Sequence, residues 1–135
     1  MPVAVHDAAG PPNAARRISA FLNRVQEPRS PFISPARFAD AAGFSLAALA
    51  ALSGVHRNTI RQNPGSERLQ DRLRDMVKVI ASACELTGDI ERAIYWFRNE
   101  PIADYRHKTA AELIAAGHAD AVLAHLEDLR NGAAG

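Results

Sequence analysis

One stretch of this chain constrains its fold more than any other: residues 67–87 hold no helix breaker and carry an apolar stripe. Leu69, Leu73, Met76, Val77, Ile80, Ala83 and Cys84 recur at three- and four-residue steps, the period of one helix face. Gly88 stops the pattern. A helix of that length runs about 30 Å, roughly the width of a small domain, so the remaining segments must be arranged around it. The stripe is long and a chain of 135 residues has few elements to cover it, so a homodimer is expected.

The flanking segments read as shorter helices separated by glycine, proline and capping residues. Residues 1–12 are rich in Ala, Gly and Pro, lack periodicity and read as disordered. From Asn13, Ile18, Phe21, Leu22 and Val25 form a helix stripe ended by Pro28, and residues 27–34 read as a linker. Ser34 as N-cap with Pro35 at the first helical position opens a helix that Gly43 closes; Ser45 opens another, through Leu52, that Gly54 breaks. A short helix over His56–Gln62 ends at Asn63-Pro64-Gly65. Past the long helix, Asp89 caps a segment burying Ile90, Ala93, Ile94 and Phe97, and Pro101 breaks it. Thr109 and Glu112 have the spacing of a capping box, and Gly117 ends the helix they open. The last helix, about Ala119–Arg130, offers Val122, Leu123, Leu126 and Leu129. No run alternates with period two, so the expected fold is all-α. It divides into an arm with one helix (1–34), a middle unit (35–66), and the long helix with a small helical region (67–135).

Composition narrows the function classes. The single cysteine, Cys84, excludes an intrachain disulfide and a cysteine-based zinc site, and its place on an apolar stripe makes it packing rather than a reactive thiol. No apolar run approaches a membrane span and Met1–Gly10 does not resemble a signal peptide, so a cytoplasmic protein without membrane contact is expected. His118 and His125, seven residues apart, make a poor metal site, and no phosphate loop or nucleophile motif occurs. The expectation is therefore a binding protein, not an enzyme, with no cofactor and no metal. Charge is uneven: residues 1–66 hold seven Lys/Arg against three Asp/Glu, and residues 67–135 hold nine against twelve. A basic front and an acidic back suggest two surfaces with different partners.

Ala50, Gly54, Val55 and Ile60 stand at the offsets of a helix-turn-helix. Ala50 permits close helix approach, Gly54 supplies a left-handed turn residue, and Leu49, Val55 and Ile60 fill the wedge. The second helix of such a unit enters the major groove of DNA, here with His56, Arg57, Asn58, Thr59, Arg61 and Gln62 as the readers. Arg pairs with guanine O6 and N7, and Asn or Gln pairs with adenine. A unit that has lost DNA binding and serves as scaffold would carry the same pattern.

The run Gly54-Val55-His56-Arg57-Asn58-Thr59-Ile60 resembles the core of Xre-type repressors. Downstream, Tyr95-Trp96-Phe97 leads to Pro101, then Lys108-Thr109-Ala110-Ala111-Glu112-Leu113-Ile114 to Gly117, then a short segment ending at Gly132. This order resembles the toxin-binding region of the Xre/MbcA/ParS antitoxins over residues 90–132. The resemblance implies a partner toxin of the RES fold, which degrades NAD, and an antitoxin that blocks the toxin's pocket and represses its own operon through operator DNA. It implies toxin contact by Trp96, Arg98, Pro101, Arg106, Lys108, Arg130, Gly132 and Gly135. Relatives often carry an aromatic residue after the final glycine, where this chain has Ala133-Ala134-Gly135. The alternative is a stand-alone helix-turn-helix regulator that uses its back half only to dimerise.

Overall fold

A computed structural model describes residues 13–132; the 1–12 arm, expected to be disordered, and Gly135 lie outside the described residues. Those residues form eight α-helices and no named strand: α1 (Ala14–Val25), α2 (Pro35–Ala42), α3 (Leu46–Ser53), α4 (Arg57–Gln62), α5 (Glu67–Thr87), α6 (Ile90–Asn99), α7 (Ala110–Ala115) and α8 (Ala119–Arg130). A single 3-10 turn, Ala103–Tyr105, lies between α6 and α7.

Capping chemistry sets most of these boundaries. Ser34, Ser45 and Ser66 each accept a backbone N–H with the hydroxyl three residues before it, and Asp89 accepts two, from Glu91 and Arg92. Thr109 and Glu112 form the reciprocal box, with Glu112 N–H to Thr109 Oγ1 at 3.1 Å and Thr109 N–H to Glu112 Oε1 at 2.9 Å.

Helix α5 is the axis of the molecule, packed by α1, α3, α6, α7 and α8. Leu69, Leu73, Met76, Val79, Ile80 and Cys84 are fully buried. The apolar stripe of α5 is thus covered within one chain, which removes the reason for expecting a homodimer. The sequence reading undercounted how many short helices fold back onto α5. One buried cluster runs from Phe21 to Leu126, so residues 35–66 and 67–135 share a core. Its aromatic link is Phe38 stacked on Phe44 at 6.3 Å and Phe44 edge-on to Phe97 at 6.2 Å.

The structure corrects several local expectations. Leu22 and Leu129 belong to the expected stripes but are 41% and 38% exposed, because α1 seats on Ile18, Phe21 and Val25 and α8 on Val122 and Leu126. Residues 27–34 are no loose linker: Gln26 and Ile33 pair as an antiparallel bridge, and Ile33 and Ser34 are buried. His56 precedes α4 as its N-cap instead of forming its first turn.

Candidate functional site

Two surfaces hold the residues singled out in the sequence. The first is α4. Helix α3 buries Leu49, Ala50 and Ser53, and Gly54 then turns the chain with φ 68°, a left-handed conformation that a side chain makes costly. Val55 N–H reaches Ala50 O at 3.1 Å, which closes the turn. His56 Nδ1 accepts from Asn58 N–H at 3.1 Å, which makes His56 the N-cap of α4. Of the six residues of α4 only Ile60 is buried and Thr59 is half-buried. Arg57, Asn58, Arg61 and Gln62 are exposed, and neither arginine forms an ion pair among the described residues. The Arg68 guanidinium covers the turn: a Cβ on Gly54 would come within 2.8 Å of its Nη2. The result is a short helix anchored by one apolar residue, with amide and guanidinium donors on its outer side.

The second surface spans α6 to α8, and its expected residues do not form one site. Trp96 is half-buried against the core and lines a shallow concavity of about 300 Å³ with Ala83, Leu86, Thr87, Leu126 and Leu129. Arg98 turns the other way, with its guanidinium carbon 5.0 Å from the centre of the Phe44 ring and its tip beside Gly43, so it ties α6 to the α2–α3 corner. Arg130 bridges α8 to α5, with Nη1 3.0 Å from Glu85 and 3.6 Å from Glu127, and Nη2 donating to Ser82 Oγ at 2.9 Å. Pro101 is exposed where α6 ends, and Gly132 is exposed with φ 75°.

Arg106 and Lys108 do come together. Ile102 N–H bonds Lys108 O at 2.9 Å and closes a loop in which Arg106 and His107 are consecutive left-handed residues, at φ 57° and 60°. Two such non-glycine residues in a row are strained by roughly 1–2 kcal/mol each and need fixed surroundings. Arg106 and Lys108 line a concavity of about 390 Å³ with Asp104, Tyr105, Glu112 and His118. Tyr105 is held edge-on to His125 of α8 at 6.2 Å.

The sequence reading missed Tyr95, which is 64% exposed beside Trp96 and is the most exposed large apolar residue described. Its position off the Ile90/Ala93/Ile94/Phe97 stripe was the available signal. Cys84 is fully buried, and burial pushes its thiol up from the ordinary value, which suits packing and not nucleophilic chemistry. Among the described residues no group of three or more His, Cys, Asp or Glu is arranged to hold a metal, and no helix is long and apolar enough to cross a membrane.

The chain matches no family model, and no curated protein or solved structure is significantly similar to it. Function must therefore be argued from the two surfaces themselves.

Proposed function

We propose that this chain is an antitoxin of the Xre/MbcA/ParS kind, which binds operator DNA through α3–α4 as a helix-turn-helix and neutralises a RES-type toxin with the surface from α6 to the C-terminus. The observation that carries the DNA half is α4 itself. Ile60 and the Gly54 turn hold it, while Arg57, Asn58, Arg61 and Gln62 stay exposed and neither arginine forms an ion pair among the described residues. Those side chains match the donor and acceptor patterns of guanine and adenine in the major groove. Arg68 over the turn and the uneven charge along the sequence add attraction for phosphate. The toxin half rests on the order of the motifs from Tyr95 to Gly132 and on the Arg106–Lys108 loop, whose strained backbone displays two cations beside a concavity. The alternative of a regulator that dimerises through its back half is less well supported. The stripe it would need on α5 is already buried, and Tyr95 and Leu129 are the large apolar residues left exposed there.

The test separates the two functions. Arg57→Ala with Arg61→Ala removes exposed charge without touching Val55 or Ile60, so helix content by circular dichroism should be unchanged. The variant should no longer retard a duplex from the gene's own promoter at low salt, and should still rescue growth of cells that express the toxin. A folded double variant that fails to rescue, or that still binds the promoter as the parent does, overturns this division.

A further inference from the structure

The turn that ends α4 is fastened to a loop from elsewhere in the chain. Between α1 and α2 the backbone doubles back through the Gln26–Ile33 bridge: Glu27 N–H bonds Phe32 O at 2.9 Å and Ser30 N–H bonds Glu27 O at 3.2 Å. Within it, Arg29 is exposed and left-handed, at φ 60°.

Two contacts fix this loop beside the turn after α4. Gln70, in the second turn of α5, is 2% exposed and uses its whole amide. Oε1 accepts from Ile33 N–H at 2.9 Å, and Nε2 donates to both Ile33 O and Pro64 O at 2.8 Å. Phe32 lies against Gly65 so closely that a Cβ there would meet its ring at 2.7 Å. Phe32 nevertheless remains 41% exposed and outside the buried cluster. The loop is therefore held rigidly next to α4 without contributing this ring to the core, and it keeps a strained arginine at the surface. Strain of this kind persists where neighbours over-determine the backbone, and it gathers at ligand clamps. Glu27 is the one acidic residue of the loop, against Arg29 and, just beyond it, Arg37, whose Nη1 is 3.4 Å from Gln26 O.

We infer that the Glu27–Phe32 loop is a second DNA-contacting element, in which Arg29 grips a backbone phosphate flanking the groove that α4 enters. This rests on the reading of α4 as the helix that enters the groove. A guanidinium suits the role because it donates two parallel hydrogen bonds to phosphate oxygens. Such a contact positions the protein without reading sequence, so its effect is the same on every duplex.

The measurement is the affinity of the full chain for two duplexes of equal length, one from its own promoter and one unrelated, over a series of salt concentrations. Arg29→Ala should lower the salt slope by about 1 and weaken both duplexes by the same factor. Arg92→Ala removes the same charge at the far end of α5, roughly 30 Å away, and should leave the slope unchanged. Circular dichroism checks that both variants are folded. An Arg29→Ala slope equal to that of Arg92→Ala, or a loss confined to one duplex, overturns the inference. If Arg57→Ala with Arg61→Ala weakens binding and Arg29→Ala does not, only the loop assignment falls. If the parent binds neither duplex, the reading of α4 falls and takes the loop with it.

Discussion

The front and back halves of the chain use several of their charged residues in different ways. In the front half, Arg57 and Arg61 of α4 are exposed with no ion pair among the described residues, and the helix is held by Ile60, the Gly54 turn and the amide of Gln70 behind Pro64. In the back half, Arg98 covers Phe44 and Arg130 joins Glu85, Glu127 and Ser82. Side chains that look alike in sequence are thus spent on different things. The front half leaves Arg57 and Arg61 exposed with no ion pair among the described residues, whereas the back half uses Arg98 and Arg130 to hold helices together. Arg106 and Lys108 in the back half resemble the front pattern, and they do so on a strained loop.

The largest effect expected of any change is one that erases the difference between the ends. Phe97 is fully buried on α6 and meets Phe44, in the turn between α2 and α3, edge-on. Phe97→Ala should cost about 3–5 kcal/mol, the range for removing a buried aromatic ring. Because one cluster runs through both ends, the loss should appear as a single earlier transition in urea, identical by circular dichroism and by Trp96 fluorescence. Two separate transitions would mean that the ends fold independently and that α5 does not couple them.

An intermediate effect is expected at Gln70. Replacement by Leu keeps the volume near that of the amide but leaves Ile33 N–H, Ile33 O and Pro64 O without their partner. Buried groups left unpaired cost about 1–3 kcal/mol, so the variant should be destabilised by that order. The damage should fall on the front end: amide exchange should quicken around Ile33 and Gly65 and stay as it was in α6 to α8. Uniform acceleration across the chain would show that Gln70 supports the core at large rather than this one junction.

Gln70 also marks where the sequence stopped being informative. The bounds of α5, the caps at Ser34, Ser45, Asp89 and Thr109, and the left-handed turn at Gly54 were legible, because each depends on residues within one turn of each other. A polar residue inside an amphipathic helix reads as solvated. Only the return of two distant loops makes it the best-satisfied amide in the molecule. The same limit explains Arg98 and Arg130, whose partners lie 54 and 45 residues away in Phe44 and Glu85, and the covered face of α5. The residues of α4 were legible as a set because they are consecutive. Those of the back surface were scattered by tertiary contacts that the motif order does not encode.

The smallest expected effect is also the one that best sharpens the comparison. Arg130 is a candidate for reaching a toxin, yet in the free protein it is an intramolecular tie whose side chain is 37% exposed, facing a Glu85 side chain that is 39% exposed. Pairs this accessible contribute less than about 1 kcal/mol, because water and ions screen them and two long side chains must be ordered. Arg130→Ala should therefore lower stability by a few tenths of a kcal/mol to about 1 kcal/mol, and the difference should shrink as salt rises past the screening range. Arg57→Ala, by contrast, removes a charge with no ion-pair partner in the described residues, and its stability should match the parent within about 0.5 kcal/mol at any salt concentration. If Arg130 acts only as a tie, growth rescue against the toxin should survive its loss, since the α5–α8 packing of Leu126 and Val122 remains. If instead Arg130→Ala leaves stability and its salt dependence untouched and abolishes rescue, Arg130 belongs to the partner. The back half would then keep a cation for binding, as proposed for Arg57 and Arg61 in the front half.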